Sequence, residues 1–525
     1  MEAPTPVKTV SNSTTAMPHS EPTLFQRITT FLSQWGIETH GISPIAKEGR
    51  VDNRLYQMFF VWFSANFNIL AFGTGSAGPA FFGLGLRDTL IILVIVDAIS
   101  CIIPAIFGIF GPKLGTRGMV QARFSWGYDF TGALIPSILN VFSMQGFLIL
   151  NCIIGGQTLA GVSHHLNATL GIVIIGVISM IVCFFGYKVV HWYESVAWTP
   201  NVVAFITILA VGGKHLQPSK IPTPPPPSAS TVMSFATFVA SSVISWCTMV
   251  PDYGVYHNAK ASSVRIFVYT YLGFFMASIT GHMLGAAFAA ASPAVPSWSD
   301  GFGNGNNVGG LFAAILLPVG GFGKFLLVLV ALSVPAACAP TMYTFGMSFM
   351  AIAPIFAKVP RYLFIIVSEA ILVPVAIVGA TRFYTVLVNI LSVIGYWSTV
   401  FSGIILTEHF VFRRHKFSNY HTEDWDNAKL LPTGFAAVFA FFGAFGIIVP
   451  SMSQTWYIGP IATAGTGDIG IITGFIVAVG LYILLRRIEL WILPREKGAT
   501  KVLNTTRVQD IGLSETDSEG KSRNS

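Results

Sequence analysis

Residues Val61 to Pro79 read VWFSANFNILAFGTGSAGP. An apolar helix meets the polar run Ser64-Ala65-Asn66-Phe67-Asn68 and then continues through Gly73, Gly75, Gly78 and Pro79. In hydrocarbon an unsatisfied backbone group costs several kcal/mol, so a helix broken at membrane depth persists only where it lines a cavity. A second interruption follows in the sixth apolar run, where Ser241, Ser242, Ser245 and Trp246 precede Pro251-Asp252-Tyr253-Gly254. Breaks in runs one and six are the pattern of two inverted five-helix repeats with a substrate site between their first helices. Small residues also serve close helix packing, so Gly73, Gly75, Gly78, Pro251 and Gly254 count as helix breaks only together with the polar and aromatic residues beside them.

The rest of the chain fits a membrane as its solvent. Of 525 residues, 53% are hydrophobic and 10% charged, against about 25% charged in soluble domains. Twelve apolar runs can be read between residues 56 and 486, which predicts an all-α integral membrane protein of about 12 transmembrane helices. The formal charge of +7 does not point to nucleic acid, because the basic residues sit in short segments between apolar runs. With an intracellular N-terminus and alternating spans, 25 of the 30 Lys and Arg residues fall on the inside, which predicts that both termini are cytoplasmic. The five cysteines lie inside apolar runs and form neither a disulfide framework nor a metal pattern, so no metal site is expected. Residues 1–22 lack the apolar core of a cleaved signal peptide.

The expected organisation is a cytoplasmic tail over 1–55, a first repeat of spans 1–5 over 56–213, and a Pro-rich external linker over 214–232. A second repeat of spans 6–10 follows over 233–407, then a cytoplasmic loop over 408–432, spans 11–12 over 433–490 and a tail over 491–525. Within the first tail, Leu24 to Ile37 places Phe25, Ile28, Phe31, Leu32 and Trp35 at helical spacing; it either lies on the inner leaflet or packs on the bundle. Both tails have the composition of disordered segments.

Ionisable groups within the spans are few: Asp97, Asp252, His282, Glu369 and, nearer an end, Glu408. Burying them is costly, which makes each a functional hypothesis. For a proton-coupled carrier Asp252, Asp97, Glu369 and His282 are the coupling candidates, with helix capping as the alternative for Asp252. Lys188, His191 and Glu194 read as an interfacial ion cluster. On span three Phe147 and Asn151 share a face at i, i+4, with Gln145 and Gln157 nearby. Such amides serve either as ligands or as contacts between helices. Span eight carries Pro335 and Pro340, which free carbonyls and bend it.

At these residues the chain resembles the fungal purine-cytosine permeases of the nucleobase:cation symporter family. The likeness is carried by the lead-in GIETHGISPIAKEGRVDNRLYQMFF and first span up to Leu86, and by GPKLGTRGMVQARFSWGY (Gly111 to Tyr128); it covers roughly residues 36 to 490. It implies a LeuT-like 5+5 inverted repeat plus two C-terminal helices in the plasma membrane, and proton-coupled uptake of cytosine and purines. It also implies a site built from a polar residue on helix one, an aromatic and an Asn on helix three, a Trp on helix six and Asn residues on helix eight. Carried over, these are Ser64, Asn66 and Asn68, then Phe147, Asn151 and Trp246, with Pro340 and Thr341 on helix eight. Two positions depart from the pattern. Phe147 stands where Trp is expected, and Ala337-Cys338-Ala339-Pro340-Thr341 stands where the family resembles Asn-Asn-x-Pro-Asn. Without those amides a site loses the discrimination that paired donors and acceptors give. Ala336 and Ala337 also offer no hydroxyl to sodium, which favours protons.

The leading expectation is a symporter for a small heterocycle, its ring stacked between Trp246 and Phe147 and bonded by Asn151, Asn66 and Thr341. A carrier of vitamin B6, a nucleoside or a pathway-specific aromatic metabolite is the alternative, and a nutrient receptor without transport is a third reading. The partners expected are the heterocycle, protons and the lipid bilayer. No HExxH, GxSxG or paired catalytic aspartates appear, so an enzyme is not expected.

Overall fold

The computed structural model describes residues 41–128, 134–163, 165–184, 187–303 and 305–492, without the side chains of 187–192 and 194–195. The segment Leu24–Ile37, the two tails and the Lys188–His191–Glu194 cluster therefore lie outside the described residues and side chains. Apart from the short antiparallel pair β1 (Ser453–Gln454) and β2 (Tyr457–Ile458), the described regular structure is helical.

The first span is broken as its sequence suggests. Helix α1 (Gln57–Asn66) ends at Phe67, and α2 (Ile69–Ala80) leaves at 52° to it. Asn68 is the cause: in extended conformation its Oδ1 accepts from the backbone N–H of Leu70 at 2.8 Å and of Ala71 at 3.1 Å, capping a helix that starts inside the protein. Gly73, Gly75 and Gly78, expected as breaks, instead lie within the continuous α2. They are there for packing. A Cβ on Gly75 would sit 1.9 Å from the carbonyl oxygen of His282, and one on Gly78 would sit 2.5 Å from Thr89.

The second span is α3 (Leu86–Ser100) and α4 (Ile102–Leu114), joined at Cys101, and α5 (Gly118–Trp126) is a short, wholly buried helix after it. Spans three to five are α6 (Leu134–Ala160), α7 (Ala168–Phe184) and α8 (Tyr187–Gly212). After the extended prolines, Ser228 caps α9 (Ala229–Ile244). This sixth span changes to 3-10 turns at Ser245–Thr248 and Val250–Tyr253, so its break begins at Ser245, ahead of Pro251 and Gly254. Both of the latter lie at the far end of the irregular stretch, where a Cβ on Gly254 would meet Pro112 at 2.5 Å.

Span seven is α10 (Ser263–Ala291). Two short helices, α11 (Pro296–Phe302) and α12 (Val308–Leu316), occupy a stretch that the apolar pattern leaves as loop. Span eight is α13 (Gly321–Ser333) continued by α14 (Pro335–Ile352). The apolar stretch 361–412 would measure about 78 Å as one helix, over twice the hydrocarbon thickness of about 30 Å. It divides at Arg382 (φ −131°, ψ 50°) into α15 (Arg361–Gly379) and α16 (Phe383–Thr407). The chain closes with α17 (Phe435–Ser451) and α18 (Gly470–Ile492).

Eight described helical segments are long and apolar enough to cross a membrane, nine with the bent α1–α2 pair. Dividing 361–412 and adding the 17-residue apolar helices α7 and α17 brings the described spans to the expected twelve. Val94, Ile95, Ile99, Phe439 and Phe442 are exposed on the outside, as a lipid-facing surface requires.

Candidate substrate site

The two broken spans meet at a narrow cavity of about 30 Å3, room for about one water in this conformation, lined by α2, α6, α9, α10, α16 and residues of the breaks. Asn66, Asn68, Phe147, Asn151, Trp246 and His282 are on its wall; Ser64, Pro340 and Thr341 are not. Ser242, beside the second break, is on the wall too, and Ala71, Thr74 and Ser278 join it, small residues that carry no signal of their own in a sequence rich in such residues.

The amides divide by role. Asn68 spends its side chain on the helix break, with Nδ2 donating to Ala65 O at 2.7 Å. Asn66 donates to Trp62 O at 3.0 Å and Asn151 to Phe147 O at 2.9 Å. The buried Asn151 Oδ1 has no partner, so a cavity-lining acceptor is left unsatisfied, which is costly unless a ligand bonds it. Gln145 is held by Ser368, to which its Nε2 donates at 3.1 Å and from which its Oε1 accepts at 2.8 Å; it joins α6 to α15 instead of facing the cavity.

Trp246 supplies the aromatic wall. Its ring lies 5.2 Å from Phe147 at 40°, and 6.0 Å from Trp62, which stacks on Phe274 at 5.0 Å. A ring sandwiched between Phe147 and Trp246 needs roughly 7 Å between them, two aromatic contacts of about 3.5 Å. In this conformation the two rings touch and form one surface, so the expected stack between them requires that they part. The cavity thus offers an apolar aromatic face beside a few polar groups, the usual makeup of a small-molecule site.

Residues 44–459 match the family described as permeases for cytosine/purines, uracil, thiamine and allantoin. The chain belongs to this permease family. It is 34% identical over 470 residues to the purine-cytosine permease fcyB of Emericella nidulans, covering 89% of this chain and 91% of that one. It is 27% identical over 519 residues to the vitamin B6 transporter TPN1 of Saccharomyces cerevisiae, covering 87% and 89%. Among solved structures it is similar to Mhp1, a nucleobase-cation-symport-1 family transporter in a closed conformation with bromovinylhydantoin bound, at a TM-score of 0.65, 17% identity, and coverage of 88% of this chain and 98% of that one. The fold is therefore the LeuT-like one that the paired breaks suggest, and the protein is a multi-pass membrane transporter, not an enzyme.

The permease's candidate ionisable groups fall into four places. His282 Nδ1 and Asp97 Oδ2 are 2.9 Å apart across α10 and α3; both residues are buried, and Asp97 Oδ1 has no partner. The two residues are 185 positions apart, so nothing in the sequence pairs them. Asp252 lies outside the cavity lining. Its Oδ1 accepts from the N–H of Gly118, the first residue of α5, at 2.7 Å, and its Oδ2 accepts from Thr344 Oγ1 of α14 at 3.2 Å. It caps α5, not its own broken helix, and ties span six to span eight. Beside it Arg117 donates to the Tyr343 hydroxyl at 2.7 Å. The loop glycines serve this junction: a Cβ on Gly118 would be 2.3 Å from Thr248 O, and one on Gly111 2.3 Å from Pro251 O. Glu369, on α15, presses against Gly176 of α7, and neither of its carboxyl oxygens has a partner. Glu408 is a structural node, bonded to Arg413, Arg486 and Tyr482.

On span eight, Thr341 Oγ1 turns back to Ala337 O at 2.7 Å, and the Cys338 thiol is buried. Asn201 of α8 donates to Phe67 O at 2.8 Å and accepts from Ser333 Oγ at 2.8 Å. The carbonyl freed by the first break is thus satisfied by an amide from span five. Sequence reading missed this residue, since an Asn among ordinary helix residues carries no signal.

Proposed function

We propose that this permease imports a nucleobase-like heterocycle together with protons across the plasma membrane, with both termini in the cytoplasm. The observation that carries the reading is the cavity itself, where the Trp246–Phe147 surface borders the unsatisfied Asn151 Oδ1. A flat heterocycle offers a face to the first and an N–H to the second. Asn66 and Ser278 supply further polar contacts from the same wall. The purine-cytosine permease fcyB, similar over most of the chain, supports this substrate class. Protons are favoured over sodium because the Phe67 carbonyl already accepts from Asn201 and the span-eight residues Ala336 and Ala337 bring no hydroxyl.

A second reading is favoured by one departure. Span eight contributes no side chain to the cavity wall, so readout of a base edge by amides from that helix is absent. The TPN1 relative makes vitamin B6 the alternative cargo. Uptake of radiolabelled cytosine, adenine, hypoxanthine and pyridoxine in a host stripped of its own permeases separates the two. Saturable accumulation of a nucleobase, competed weakly by pyridoxine, is expected; accumulation of pyridoxine alone would replace the first reading with the second, and accumulation of none would end both.

A further inference from the structure

Asp97 and His282 form an ionisable pair inside the membrane that reaches the cavity wall. Among the described residues, the helices packed around them bring no other charge to the pair. Helices α1, α2 and α9, which pack around α3 and α10, contain no Asp, Glu, Lys, Arg, His, Cys or Tyr. The titratable neighbours are Cys101, buried one turn beyond Asp97, and Tyr271, whose hydroxyl donates to Ala98 O at 3.0 Å. Lys113, farther along α4, donates instead to Ala259 O and Ala261 O. The cavity groups facing His282 from α6 and α16 are Phe147, Asn151 and Leu391, none of which titrates. No fixed charge therefore sets the protonation state of the pair.

The bonding pattern assigns an atom. Nδ1 faces the carboxylate at 2.9 Å, which in the neutral ring makes Nδ1–H the donor and leaves Nε2 a lone pair. His282 lines the cavity, and among the described residues the only hydrogen-bond partner of its ring is Asp97, at Nδ1. With neutral histidine the pair carries one net negative charge in the membrane interior; one added proton makes it neutral. An uncompensated charge there is costly, so protonation relieves the cost of burying the pair. His282 is also fastened to the broken helix: its carbonyl lies against Gly75, and Gly285 lies against Phe72 O. Movement of α2 carries the pair with it.

We propose that the Asp97–His282 pair is the proton-loading site of the transport cycle, with His282 Nε2 taking the proton. The proton comes from water on the entry side and returns to water on the exit side, leaving Asp97 ionised throughout. The N–H created at Nε2 donates to an acceptor on the heterocycle, so the substrate contact exists only in the loaded state. The proposal rests on the proton-coupled reading and names where coupling occurs.

Its test uses the full chain in lipid, as wild type, His282→Gln and Asp97→Asn. Infrared titration between about pH 8 and 5 requires no substrate. The wild-type-minus-His282→Gln difference should contain an imidazole protonation that Asp97→Asn displaces in pH, whereas superimposable titrations of all three overturn the proposal even if no transported compound has been found. In proteoliposomes, whichever panel compound the wild type accumulates should reach about a tenfold gradient per unit of pH difference for one coupled proton. His282→Gln should still exchange that compound at equal concentrations but reach a ratio near one. Retained accumulation by His282→Gln overturns the proposal. Failure of the wild type to accumulate any compound would instead overturn the substrate reading, with the infrared result still deciding the pair.

Discussion

Replacing Asp252 by alanine removes both oxygens that hold span six to α5 and to span eight. The bond from the Gly118 N–H, at 2.7 Å, is buried, and its loss leaves that donor unsatisfied at a cost of about 1.5–3 kcal/mol; the 3.2 Å bond from Thr344 adds about 1 kcal/mol. The conformer containing this junction should therefore lose about 2.5–4 kcal/mol against one in which spans six and eight have parted, a shift of about 60- to 700-fold. The assay is maleimide labelling of Ala351→Cys in a background with the native cysteines replaced by alanine. Ala351 is buried on α14, and its carbonyl accepts from Arg123 of α5 at 3.2 Å, so a thiol there reacts only when the junction opens. Asp252→Ala should raise the labelling rate at least tenfold with the melting profile still cooperative. An unchanged rate would refute the view that Asp252 closes this end of the transporter.

Three further outcomes follow from particular contacts. Asn68→Ala should lower stability by about 1–2 kcal/mol through loss of the cap at the first break, read as a fall in the melting temperature in detergent, with Asn68→Asp restoring most of it. Asn151→Ala should weaken the apparent affinity for the transported heterocycle by about tenfold or more, the worth of one to two hydrogen bonds, while Gln145→Ala, which touches Ser368 instead, should leave affinity alone and reduce stability. His257 lies in the loop after span six, buried with both ring nitrogens unpartnered, its backbone bridged to Asp52. Burial pushes its pKa below the ordinary value, only partly opposed by Asp52. The unfolded chain then binds the proton more readily, so this contribution is full above about pH 6.5 and is lost as pH falls below it. Protection factors for hydrogen exchange at residues 52–58, corrected for the intrinsic pH dependence of exchange, should fall on acidification from about pH 7 to 5, and His257→Gln should flatten that dependence.

Much of the architecture was legible because it follows from strong local constraints. A polar run inside an apolar one forces a break, and the structure breaks within that run, at Phe67–Asn68. What followed was less legible, because a glycine reads alike whether it ends a helix or admits another backbone. Gly75 does the second, against the backbone of α10 at His282, while Gly73 and Gly78 make room for the side chains of Ile154, Phe383, Thr89 and Phe235, and only those packed neighbours distinguish the two. In span six the single proline points to Pro251, although the helix already changes at Ser245, where side chains returning to the backbone, such as Ser245 Oγ to Ser241 O at 2.7 Å, are a weaker signal. The helices α11 and α12 escaped notice because they are short and set among Gly and Asn residues.

The site divides in the same way. Trp246, Phe147 and Asn151 were found from residue type and spacing, and they meet at one cavity. Asp97 and His282 were each recognised as costly to bury, but their pairing is a tertiary fact. Thr341 and Pro340 come from the family pattern, and the cavity does not include them: Thr341 bonds its own helix instead.

The most direct test of the account is accumulation by the purified permease alone, in liposomes with an imposed pH gradient and labelled cytosine, adenine, hypoxanthine or pyridoxine. The account predicts that a nucleobase is concentrated inside, that collapsing the gradient releases it, and that Trp246→Ala abolishes the effect. Absence of accumulation for all four, or undiminished accumulation by Trp246→Ala, would contradict it.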